Sequence, residues 1–205
     1  MKTENYLGGV PLIKNLSASI ADFYVQKNII NSDEKEVYQW GVSLVLNDIV
    51  TFSLVLLLSA LLSHVRFGAE YLIVFCLTRI YCGGYHARKE SICRFTMIVV
   101  FLIVLFGAHI LSDCSRYILL SVLTVSFMVL LPLIPVRHPN KVMTEKLKKK
   151  GRVRGTLSYL AFAVLSLLFY LFVSKIDAVL IALSLSAVSV LAIIGTFTNE
   201  RRVNK

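Results

Sequence analysis

The chain is poor in charge. Asp, Glu, Lys and Arg make up 17% of its 205 residues, against roughly 25% in an average soluble chain. The charges are clustered and long apolar runs lie between them; hydrophobic residues reach 57% and the mean hydropathy is +0.73. This excludes a soluble domain and points to an integral membrane protein, because about 20 apolar residues span a bilayer core. No His-Glu-x-x-His stretch is present, so the common metalloprotease pattern is missing. No internal repeat is visible, which weighs against the paired-repeat plan of many transporters. Met1 to Gly9 are polar and no short apolar core with a small-residue cleavage site follows. A cleavable signal peptide is therefore not expected, and the apolar helices themselves direct insertion. Acidic residues are the rarer sign, 12 against 22 basic. In such a chain the excess reads as cytoplasmic flanks facing anionic lipid, not as nucleic-acid binding. Cysteines are few: Cys76, Cys82, Cys93 and Cys114. Three fall in or near a reducing cytoplasmic half, so no disulfide framework is expected.

What is present reads as an all-α polytopic membrane protein with six transmembrane helices and an N-terminal amphipathic interfacial helix. Residues 1–39 form the N-terminal segment, in which Leu12, Ile13, Leu16, Ile20 and Phe23 recur at helical spacing. A helix packed on the transmembrane bundle fits that pattern equally. The Asn31-Ser32-Asp33-Glu34 stretch has the form of a turn with a helix N-cap. The transmembrane domain covers 40–197. Its spans run from about Trp40 to Leu62, Gly68 to Cys82, Phe95 to Leu111, Tyr117 to Val136, Leu157 to Val173 and Ala178 to Phe197. Asn47 and Asp48 lie inside the first and are expected to face protein or water-filled space. The second is short, with Glu70 and Arg79 near its ends, and the fourth is kinked or ended by Pro132 and Pro135. A basic cytoplasmic loop over 137–156 separates the fourth and fifth spans, and a basic tail, 198–205, ends the chain. With both termini, the 79–94 segment and the 137–154 stretch on one side, 19 of the 22 basic residues lie there. Only Arg66, Arg116 and Lys175 fall opposite. That asymmetry places both termini in the cytoplasm.

Between the second and third spans lies a polar island, Arg79-Ile80-Tyr81-Cys82-Gly83-Gly84-Tyr85-His86-Ala87-Arg88-Lys89-Glu90-Ser91-Ile92-Cys93. An imidazole and a thiol seven residues apart suggest a nucleophilic Cys/His site, in which the ring raises the thiolate fraction and shuttles the proton. Along one unbroken helix the two would be separated by about 10.5 Å of rise, while the pair must approach within hydrogen-bond reach, roughly 3–4 Å. Gly83-Gly84 permits a break, so His86 is expected on a loop that folds back over Cys93. Arg79, Arg88 and Arg94 supply positive charge that favours thiolate and also serve as ordinary cytoplasmic flanks. Cys82, His86 and Cys93 could instead be metal ligands, but no fourth accompanies them and the spacing is no recognised zinc pattern. No metal and no cofactor is expected. Intramembrane Asp48, Asn47 and Glu70 leave a second class open, a small transporter or scaffold without proteolytic activity.

At these residues the sequence resembles the AgrB membrane endopeptidases of Gram-positive quorum sensing. The resemblance rests on Arg79-x-x-x-Gly83-Gly84-x-His86-Ala87 followed by Cys93, on Pro139-Asn140-Lys141 after the fourth span, and on the multi-span layout. One departure is that the family's Asn-Lys-Pro-Leu stretch reads Asn140-Lys141-Val142-Met143 here. The resemblance implies a cysteine endopeptidase of the cell membrane with His86 and Cys93 catalytic and Arg79, Gly83 and Gly84 supporting. It implies an AgrD-type propeptide as substrate, release of its C-terminal tail, cyclisation to a thiolactone autoinducing peptide, and a homodimer. Lys146, Lys148, Lys149 and Lys150 then become candidates for holding an acidic propeptide tail; anionic lipid is the other candidate partner.

Overall fold

The computed structural model describes residues 11–83, 90–136 and 144–203. Among them the backbone is helical without a strand: α1 (Pro11–Gln26), a 3-10 turn (Ser32–Glu34), α2 (Lys35–Leu61), α3 (Val65–Cys82), α4 (Glu90–Ile110), α5 (Arg116–Leu130), α6 (Glu145–Phe172) and α7 (Lys175–Val203). Helices are what an apolar chain needs in lipid, where every N–H and C=O must be satisfied within its own segment. Among the described residues, four stretches are long and apolar enough to cross a membrane: Ser32–Leu61, Ser91–Ile110, Glu145–Phe172 and Lys175–Thr198. The helices at the second and fourth expected spans are shorter, 18 residues in α3 and 15 in α5.

Two boundaries differ from the sequence reading. The fourth apolar run is α-helical only to Leu130, and Pro132 and Pro135, which lack an N–H, follow it. The basic stretch Glu145 to Arg154, expected as part of a loop over 137–156, forms the first turns of α6. Lys and Arg are good helix formers, and Glu145 sits at the positive end of the helix, where an acidic side chain stabilises it. Apolarity marks where a helix enters lipid; it does not mark where the helix starts.

The described residues fall into two compact units, with α2 and α4 contributing to both. The first holds 11–58 and 90–99. Here α1 buries Ile13, Ser17 and Ala21 on one face and leaves Leu12, Leu16 and Phe23 exposed, so its apolar residues divide between two sides. Asn31 donates its N–H to the Glu34 carboxylate at 3.2 Å, a local cap for the turn, and Lys35 pairs with Asp22. An open apolar groove of about 550 Å³ is lined by Ile20, Tyr24, Val37, Tyr38, Val42 and Val45. In α2, Ser43, Asn47 and Thr51 are buried at successive turns. Asn47 Nδ2 donates to the Ser43 carbonyl at 3.0 Å and Thr51 Oγ1 to the Asn47 carbonyl at 2.7 Å. Each of these two donors thus bonds a carbonyl one turn back in its own helix. Asp48 is exposed on α2.

The second unit holds 59–83, 100–136 and 144–203. Its axis is α7, which packs against α3, α5 and α6. Ala178, Val179, Leu180, Ile181, Ala182, Ser184 and Leu185 are all buried, the pattern of a helix enclosed on every side. α3 adds a stripe at helical spacing, Tyr71, Phe75, Thr78 and Cys82, each fully buried. A hydrogen-bonded knot ties three helices together. Tyr159 Oη donates to the Leu123 carbonyl at 2.9 Å and meets Ser126 Oγ at 2.6 Å, while Ser189 Oγ donates to the Ser126 carbonyl at 3.0 Å. At the start of α3, Arg66 pairs with Glu70 and with the fully buried Asp177 of α7. The hydrogen bond to Asp177 raises the Arg66 guanidinium above its ordinary value, so its charge is permanent.

Candidate functional site

The polar island begins where α3 ends. In the last turn Arg79 carries its guanidinium over the Phe75 ring, 5.7 Å from the centroid. The helix stops at Gly83, whose φ of +78° lies where a side chain is strained. Its N–H closes the last turn on the Arg79 carbonyl at 2.8 Å. A Cβ at this position would lie 3.1 Å from Val136 Cβ and 3.3 Å from the Val136 backbone. Glycine is therefore required twice here, by conformation and by the close approach of another chain segment.

That segment is the stretch after α5, and it is held from both sides. Val136 donates its N–H to the Cys82 carbonyl at 3.1 Å, joining it to the end of α3. On the other side Arg152 Nε of α6 donates to the Ile134 carbonyl at 3.3 Å. Two glycines of α6 let the segment come close: a Cβ on Gly151 would lie 3.3 Å from Pro135 Cγ, and one on Gly155 would lie 2.9 Å from Ile134 Cγ2. Gly155 also touches α3 directly, with Cys82 Sγ and the Tyr81 carbonyl each 3.3 Å from that same Cβ position. The end of α3, the Ile134–Val136 segment and the first turns of α6 form one packed joint.

Above the joint, the start of α6 carries its basic residues outward. Lys146, Lys149, Lys150, Arg152 and Arg154 are exposed, while Lys148 is half-buried and pairs with Glu145. Five exposed cations within three turns form a strong local field.

Cys93 lies in the first turn of α4, in the other compact unit, as a free, half-exposed thiol. Cys82, the second thiol of the island, is fully buried and faces the Gly155 carbonyl at 3.7 Å. The two differ in exposure, and Cys93 is the more accessible. His86 and Gly84 lie outside the described residues, as do Pro139, Asn140 and Lys141. Among the described residues no group of three His, Cys, Asp or Glu side chains is arranged to hold a metal. The sequence reading passed over Ile134, Val136, Gly151 and Gly155. Its one available signal was the pair of glycines four residues apart inside a Lys- and Arg-rich helix start.

Comparison with known proteins adds identity to this arrangement. Two proteins of Clostridium perfringens with AgrB-like names are similar to it, one from strain 13 at 22% identity and one from strain SM101 at 21%. Each aligns over 169 residues, 78% of this chain and 79% of the relative. No solved structure matches the chain. The family model described as AgrB, accessory gene regulator B, matches residues 17–197, a range that takes in the α3 joint, the whole island and the basic start of α6. With four helices fit to cross a bilayer and that match over most of its length, the chain belongs to the AgrB family of membrane proteins of the agr quorum-sensing system.

Proposed function

We propose that this protein is a membrane-embedded cysteine endopeptidase that removes the C-terminal tail of an AgrD-type propeptide and promotes its cyclisation to a thiolactone. The observation that carries the reading is the family match over residues 17–197, a range that contains Arg79, Gly83, Gly84, His86 and Cys93. It is supported by the half-exposed Cys93 at the start of a helix, whereas Cys82 is buried and unsuited to attack.

In this mechanism His86 takes the Cys93 proton and the thiolate attacks the scissile carbonyl carbon. The C–N bond breaks, the imidazolium gives its proton to the departing amine, and the propeptide remains as an acyl thioester on Cys93. The propeptide's own cysteine then gives its proton to His86 and attacks the thioester carbonyl. The new C–S bond closes the ring, and Cys93 leaves as thiolate and is reprotonated. A thioester is exchanged for a thioester, so little free energy separates the two states. Excluding water from the acyl-enzyme then decides between ring closure and hydrolysis. The exposed cations of α6 hold the acidic tail until it leaves. The chain works as six spans with the site and both termini cytoplasmic, and as a homodimer.

The test is intact-mass analysis in lipid vesicles with a synthetic AgrD-type propeptide from the same genome. Wild type is expected to carry a hydroxylamine-sensitive adduct and to release a C-terminal fragment. Cys93→Ala and His86→Ala are expected to do neither. A fragment released equally by Cys93→Ala sinks the mechanism.

A further inference from the structure

We infer that Gly155 is a positioning residue for the peptidase reaction: through the Ile134–Val136 segment it sets where the backbone leaves α3 for His86. The inference rests on the endopeptidase reading and adds to it a mechanical link between the basic helix and the site.

The link is a chain of short contacts with little slack. Gly155 has no side chain, and the space a Cβ would take is occupied on three sides, by Ile134 Cγ2 at 2.9 Å and by Cys82 Sγ and the Tyr81 carbonyl at 3.3 Å. Two of these belong to the last turn of α3 and one to the segment after α5. The segment passes the constraint on. Its Val136 N–H holds the Cys82 carbonyl, and its Val136 backbone and Cβ lie against Gly83. Gly83 is in turn the residue at which the chain leaves the helix with a positive φ. A displacement of Ile134 by a few tenths of an ångström therefore shifts the exit itself. Interiors packed this closely transmit such shifts because no void absorbs them.

The same joint carries the cations. Arg152 reaches back to the Ile134 carbonyl, and Gly151 lies against Pro135 one turn before Gly155. The residues that hold the tail and the backbone that leads to His86 are thus attached to one segment. Tail binding on α6 and geometry at the α3 exit are coupled through it.

The coupling is tested by separating binding from chemistry. Full-length variants in lipid vesicles are given the synthetic AgrD-type propeptide, and the single-turnover rate of Cys93 acylation is read by mass. Affinity is measured separately on a Cys93→Ala background. Gly155→Ala is expected to slow acylation roughly 10- to 100-fold, the scale of a small misplacement of reacting groups, with affinity changed less than twofold. Gly151→Ala, whose Cβ meets Pro135 at a more tolerable 3.3 Å, is expected to have a smaller effect. Ile134→Ala removes the nearest clashing atom, so Gly155→Ala combined with Ile134→Ala is expected to recover most of the rate. A folded Gly155→Ala protein that acylates at the wild-type rate overturns the inference. So does a folded double variant that stays slow, or a loss of affinity as large as the loss of rate. If Gly155→Ala does not insert, the double variant decides alone by the same criterion. Wild type without any adduct overturns the endopeptidase reading, and the positioning role falls with it.

Discussion

Two cysteines eleven residues apart have opposite surroundings, and at the residue scale that contrast is the most informative feature. Cys82 is enclosed by α6, its sulfur packed on Gly155, whereas Cys93 is half-exposed in the first turn of α4. Cys82→Ala removes one buried sulfur of modest size and is expected to keep propeptide processing within about threefold of wild type, at a stability cost of about 1 kcal/mol. Cys93→Ala is expected to abolish processing with no change in thermal stability. Comparing fragment release and melting temperature for the two variants checks both statements. Gly83 is sensitive for a different reason. Alanine there must hold a φ of +78° and fit a Cβ 3.1 Å from Val136 Cβ, so Gly83→Ala is expected to cost about 1–3 kcal/mol. The measurement is unfolding in detergent, and a melting temperature equal to wild type would show that the turn is not as constrained as its geometry demands. The requirement for glycine at 83 was legible in the sequence as a break beside a helix. Its contact with Val136 was not, because 53 residues of chain separate the two and no local pattern encodes a distant neighbour.

At the element scale, α6 joins two environments in one continuous helix. Its start carries Lys146, Lys149 and Lys150 exposed, and further along Tyr159 is 1% exposed inside the α5–α6–α7 knot. Replacing the three lysines with glutamine keeps helix propensity nearly unchanged and removes three charges. Propeptide affinity is expected to fall several-fold at low salt, and the wild-type loss of affinity between low and high salt to shrink, because only exposed charges are screened over a Debye length of about 10 Å. Acylation measured at saturating propeptide is expected to stay near wild type. An affinity equal to wild type at low salt would assign the lysines to lipid alone. Tyr159→Phe removes the hydroxyl between Ser126 and the Leu123 carbonyl and is expected to cost about 0.6–1.5 kcal/mol in lipid or detergent unfolding. The apolar half of α6 was readable from hydropathy. Its first turns were not, because dense charge reads as a connection although lysine and arginine suit a helix well. The prolines at 132 and 135 left a kink or an end open, and the helix ends before both, at Leu130, since a missing N–H is a property of the residue and not of its surroundings.

For the whole molecule the decisive quantity is the number of crossings, and two native cysteines report it. Cys93 lies near the start of the long apolar part of α4, Ser91–Ile110, and Cys114 beyond its end; its 20 residues span about 30 Å, enough for a bilayer core of about 30 Å. With α4 crossing, they face opposite sides. With a cytoplasmic N-terminus and a crossing α3, the chain enters at α2, returns through α3 and leaves again through α4, so Cys93 is cytoplasmic and Cys114 external. If α3, at 18 residues, stays on the outer side, the order inverts: Cys93 becomes external and Cys114 cytoplasmic. That alternative would also place Arg79, Arg88, Lys89 and Arg94 outside, against the cytoplasmic preference of lysine and arginine. The six-span arrangement keeps 19 of 22 basic residues inside. A membrane-impermeant maleimide applied to intact cells, with the modified peptides identified by mass, is therefore expected to label Cys114. It should reach Cys93 only after permeabilisation. Labelling of Cys93 from outside, with Cys114 protected, would remove α3 from the list of spans. It would also move the thiol away from the cytoplasm in which a newly made propeptide first meets the membrane.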